Sequence, residues 1–178
     1  MNREQYIAAL VYCFKVETAG AIAGEVAMLF REDPQEKQKL DLFRRLEASN
    51  KILCAQALEQ EGVARPTVES AYYRNGVKLG QKLGKGEWGG FLDLFEATVH
   101  PEVFAAYLQD DEGNEISHEY EGVNLDLLKH LVRHEESLVD FIARERQGRP
   151  DESMVPMEDV LSSELCSGLV GPEDPVGW

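Results

Sequence analysis

Three stretches of this chain repeat apolar residues at the spacing of one helical face, and each carries a single glutamate near the middle of that face. Glu17 lies on the stripe Leu10, Phe14, Ala21, Met28. Glu47 lies on the stripe Leu40, Phe43, Cys54, Leu58, and Glu135 on the stripe Leu128, Leu131, Leu138, Ile142. No strand-like alternation separates them, so the expected fold class is all-α. An ionised carboxylate without a partner costs several kcal/mol to bury. Each acid must therefore turn outward, pair with a cation such as Arg44 or Lys51, hold a proton, or bind a metal. Three carboxylates converging from three helices are what a bundle-core metal site needs, and hard oxygen donors suit iron and manganese.

The helices are delimited by local signals. The first is expected over residues 3–30. Asp33 as N-cap, Pro34 at the first helical position and Glu36 three residues after the cap start the second, which runs to Glu61 and stops at Gly62. So short a link predicts an antiparallel αα-hairpin. A third helical region covers 68–83, is interrupted by the glycine-rich stretch 84–90, and resumes over 91–108 with a break at His100-Pro101, where proline lacks an amide donor. The last long helix is expected over 124–146. Residues 1–147 are thus read as one helical bundle and 148–178 as a mostly irregular tail with no core of its own, which docks through Trp178 if at all. Gly76, Gly80 and Gly84 recur every fourth residue, a close-packing signal known from membranes. The polar residues between them argue against that use here.

A chain of 178 residues has room for one sizeable core. Its net charge of -15 repels phosphate backbones, which argues against a nucleic-acid partner, and Lys78, Lys82 and Lys85 read as a solvated face. Cys13, Cys54 and Cys166 form no CxxC pair, and Cys13 and Cys54, which lie in helical apolar patterns, read as small core residues in a reducing compartment, the cytoplasm. The apolar run near the N-terminus is brief and flanked by Glu4, Lys15 and Glu17. It reads as the first turns of a helix rather than a signal peptide or membrane span.

Several segments resemble the ferritin-like superfamily. Glu17-Thr18-Ala19-Gly20-Ala21-Ile22-Ala23-Gly24-Glu25 resembles its first helix, which carries one ligand glutamate. Leu46-Glu47-Ala48-Ser49-Asn50-Lys51, followed by Ala57-Leu58-Glu59-Gln60-Glu61-Gly62, resembles the second helix with its Glu-x-x-His motif. Arg133-His134-Glu135-Glu136-Ser137-Leu138-Val139-Asp140-Phe141 resembles the fourth helix of bacterioferritins and rubrerythrins. The resemblance covers residues 4–146. It implies an antiparallel four-helix bundle and a carboxylate-bridged di-iron or di-manganese oxidase, peroxidase or oxygenase. The ligands it implies are Glu17, Glu47, Glu135 and, from the third helix, Glu96, with Glu25 as a supporting acid. Both family histidines are replaced, by Asn50 and Leu138, so the implied site is degenerate. His130 and His134 could stand in for them. Adjacent helical residues point about 100° apart, however, so His134 and Glu135 are not expected to aim at one ion. The two histidines read as partly exposed. The competing expectation is a metal-free ferritin-like domain that binds a protein or a ligand, and a homodimer is expected in either case.

Overall fold

The computed structural model describes residues 1–109, 112–167 and 169, and Trp178 lies outside them. The chain is all-helical. Seven helices occur among the described residues: α1 Arg3–Met28, α2 Pro34–Gln60, α3 Ser70–Gly84, α4 Trp88–Glu96, α5 Pro101–Ala105, α6 Leu125–Arg146 and α7 Val155–Leu161. The sequence signals explain their ends. Asn2 and Gln5 form a capping box on α1, and Asp33 caps the amides of Gln35 and Glu36 ahead of Pro34. Gly62 takes a φ of 72°, the left-handed conformation that lets the chain leave α2.

Cross-helix pairs give the direction of each rod. Arg3 meets Glu61, Glu17 meets Asn50 and Gly24 lies against Arg44, so α1 and α2 are antiparallel. The chain then returns along α1. Lys15 pairs with Glu69, Gly76 sits on Ala19 and Gly84 on Ala27, so α3 runs parallel to α1. The glycine repeat is what allows this approach, because a methyl group at Gly80 would lie 2.5 Å from the Ala23 carbonyl oxygen. The close-packing signal dismissed from the sequence is therefore a helix contact, with the intervening lysines on the exposed side of α3. Helices α4 and α5 descend together along α6. Trp88 donates to Glu145 at 2.6 Å, the His100 amide to Glu135 at 2.9 Å, and Phe104 packs in one cluster with Leu127 and Leu128. Helix α6 rises beside α1, with the Asn124 amide on the Tyr6 hydroxyl at its start and Lys39 on Glu145 at its end.

The core divides into two apolar halves. One contains Leu40, Phe43, Leu46, Phe95, Leu138, Phe141 and Met157. The other contains Tyr6, Leu10, Phe14, Leu58, Leu128 and Leu131. The segment after Gly148 joins both. Helix α7 packs on α6 and α2, with Met157 fully buried, and Cys166 enters the second half. It docks on the core through Met157 and Cys166. Trp88, partly buried, stacks on Phe91 with centroids 4.2 Å apart and packs against the first of these halves. By length and composition α1 could cross a membrane, yet much of its apolar stretch is buried inside the protein, as in a core helix.

Candidate metal centre

Between the two apolar halves lies a polar layer at mid-height of the rods. Glu17 on α1, Glu47 on α2 and Glu135 on α6 are all buried. The stripes that carry them face one interior, and the acids cannot leave it without carrying their neighbours out. With them stands His134, wholly buried. Its Nε2 lies 3.1 Å from Glu47 Oε1, and its Nδ1 lies 3.7 Å from Glu17 Oε1 and 3.9 Å from Glu135 Oε1. One ligand atom from each of Glu17, Glu47 and His134 falls within 4.8 Å of the others.

The electrostatics of this layer are unfavourable for charge. Burial raises the Glu17 carboxyl well above its usual value, and the neighbouring Glu47 charge raises it further. Burial and the charge of Glu135 do the same to Glu47. Both carboxyls are thus pushed towards their neutral forms, with burial the larger cause in each. Glu17 Oε1 and both ring nitrogens of His134 are nonetheless buried without a hydrogen-bond partner. The His134 contacts are close in distance but misaligned as hydrogen bonds. Carboxyl oxygens and the one imidazole lone pair of a neutral histidine, turned inward around one small volume, fit a cation better than they fit one another.

A second set of contacts holds the cluster from below. Asn50 accepts from His130 Nε2 through its Oδ1 at 3.0 Å and donates its Nδ2 amide to Glu17 Oε2 at 3.4 Å. Because Oδ1 is an acceptor, His130 carries its proton on Nε2 and donates to Asn50. Cys166 Sγ stands 3.2 Å from the same nitrogen. Asn50 thus bridges His130 and Glu17 and orients the Glu17 carboxyl. Burial, reinforced by His134 and Arg133, pushes His130 down to about 4. Its neutral form is the folded one, so its contribution is present above 6.5 and lost as pH falls from 6.5 through about 4. We expect His130→Gln to reduce acid destabilisation in that window by about 3 kcal/mol, read from urea midpoints against pH. An unchanged pH profile would remove His130 from this role.

The sequence-derived candidates divide accordingly. Glu17, Glu47 and Glu135 come together. Glu96 does not: it is exposed on α4 and pairs with Arg146 at 2.8 Å. Phe91, Leu92 and Phe95 form the buried side of α4, and the residue after Phe95 is turned about 100° away from it. Glu25 is half-buried, two turns along α1 from Glu17 and about 12 Å away along the axis. Leu138 is core. The expectation of partly exposed histidines is corrected, since His130 and His134 are both fully buried. Arg44 pairs with Asp41 at 2.8 Å. The i, i+4 spacing of His130 and His134 already marks the pair in the sequence, and the structure brings His134, but not His130, to the three acids.

Among known proteins, the chain matches no family model, no curated protein and no solved structure.

Proposed function

We propose that this chain is a ferritin-like metal protein with a reduced site, in which Glu17, Glu47 and His134 hold one iron or manganese ion and Glu135 stands beside it. The observation that carries this reading is the trio of inward-facing ligand atoms, with Glu17 Oε1 and both His134 nitrogens buried and unpartnered. The order of the rods supports it: α1 up, α2 down, a crossing segment through α3, α4–α5 down and α6 up. One long crossover of this kind is the arrangement of ferritin-like folds. Two carboxylates and one imidazole are a set for a single ion. Asn50, Leu138 and the outward Glu96 leave the second ion of the family pattern short of donors.

An ion held there would supply redox and Lewis-acid chemistry, which supports reading the protein as an oxidase, peroxidase or oxygenase. The chain's own groups do the rest. Any proton held by the Glu17–Glu47 pair would leave on loading, Asn50 and His130 would keep the Glu17 carboxylate turned inward, and the apolar halves would close off the layer at either end. The same cluster, protonated and metal-free, is the alternative reading, a protein- or ligand-binding domain. A cytoplasmic location and a homodimer go with either.

Elemental analysis after mild purification and reconstitution tests the choice. We expect about one equivalent of iron or manganese per chain, with proton release on binding. Less than about a tenth of an equivalent, with no recovery on adding metal, would leave the metal-free reading.

A further inference from the structure

A cavity of about 200 Å³ opens beside the metal centre. Glu47 and Glu135 stand in its wall, so it reaches the same carboxylates that line the candidate site. The remaining deep wall is apolar: Phe43, Phe95, Val99 and Leu138 are all buried. The rings of Phe43 and Phe95 meet edge to face at 4.8 Å. Asn75 on α3 and Thr98 after α4 are exposed and mark the mouth. Two glycines keep the space open along α1 and α3. A methyl group at Gly20 would overlap the Glu47 carboxylate, and Gly76 lets α3 sit directly on α1.

We propose that this cavity is the substrate pocket of the metal centre, and that it takes a neutral, mainly apolar molecule carrying one hydroxyl. The role as substrate pocket rests on the metal reading above; the ligand class rests on the cavity itself. Size sets the first limit. An apolar cavity of about 150 Å³ holds benzene, so this one accommodates about seven to ten non-hydrogen atoms. Charge sets the second. An anion finds no basic side chain in the lining, only the acids Glu47 and Glu135, and a strongly hydrated group finds no replacement partners on the phenylalanine, valine and leucine walls. An organic cation would compete with the metal for Glu47. Polarity sets the third. Glu135 Oε2 is taken by the His100 amide at 2.9 Å, while Oε1 faces the centre and accepts one further hydrogen bond. A hydroxyl donor at that end, with hydrocarbon against the rings, matches every wall.

The test uses the full chain, metal-free and manganese-loaded, titrated with four probes of one size: p-cresol, toluene, benzylamine and benzoate. Calorimetry is the readout. We expect p-cresol to bind about fivefold more tightly than toluene, the difference one neutral hydrogen bond makes. We expect benzoate not to bind and benzylamine to bind no better than toluene. Asn75→Trp and Thr98→Trp, two independent plugs at the mouth, should each weaken p-cresol about tenfold or more while manganese stoichiometry holds. Tightest binding by benzylamine would make this an organic-cation site and overturn the proposal. So would equal binding of p-cresol and toluene, or plugs without effect. Manganese uptake without p-cresol binding overturns the pocket alone. Binding of p-cresol with no metal uptake overturns the metal reading, and the substrate role with it.

Discussion

Glu47→Gln is expected to act with opposite signs in the two states of the protein. Without metal, the variant should be more stable than the parent above neutral pH, by about 1–3 kcal/mol, because it removes a charge that the interior resists. The sign follows from the direction of the shift. Glu47 ionises near 4.5 in the unfolded chain and well above that in the folded one. Its contribution is therefore most favourable below 4.5 and is lost as pH rises through the folded value. Glutamine cannot ionise, so that slope should flatten. With metal present the order reverses. The parent gains the binding energy of the ion, while the variant, short of one of three ligands, should lose affinity by about a hundredfold or more. Thermal midpoints with and without manganese, measured across pH, read both effects. A variant no more stable than the parent when metal-free, and equally stabilised by manganese, would remove Glu47 from the centre.

The second large effect concerns the scaffold. Gly80→Val should destabilise the protein by about 3 kcal/mol or more, measured as a fall in the urea midpoint at constant slope. Its first added carbon would meet the Ala23 carbonyl oxygen at 2.5 Å and Val26 at 2.7 Å. Backbone on one side and a branched residue on the other leave nothing that yields cheaply. Gly89→Ala provides the contrast. It lies within α4 with nothing near its missing side chain, so it should gain roughly 0.5–1 kcal/mol from the reduced freedom of the unfolded chain. A mild effect at Gly80 would mean that α3 is free to lift from α1, and the wall of the cavity with it.

The fold class, the long helices and the first hairpin were legible in the residues themselves. Asp33-Pro34-x-Glu36 satisfies orphan amides locally, whatever packs around it, and the apolar stripes of α1, α2 and α6 repeat over enough turns to be unambiguous. Glu17, Glu47 and Glu135 were legible for the same reason, since an acid inside such a stripe is inside the bundle. The glycine repeat was visible but misjudged. The polar residues between Gly76, Gly80 and Gly84 obscure it, whereas the contact is made by the glycines and the lysines point elsewhere.

His134 shows where periodicity stops. Its neighbour Glu135 lies on the stripe, and a separation of about 100° places His134 off it. Such a separation excludes His134 only from a helix with one buried side. Helix α6 is flanked by α1 and α2 on one side and by the α4–α5 limb, through His100, on the other, so the arc it buries is wide enough for both residues. The loss of Glu96 has a related cause: Pro101 breaks the third rod into short pieces, and each piece sets its own rotation. Sequence alone determined that the chain is helical and that three acids face inward, because capping and periodicity act over a few turns. Only tertiary structure decided that a histidine, not a fourth acid, completes the set, because that depends on how many neighbours enclose each helix.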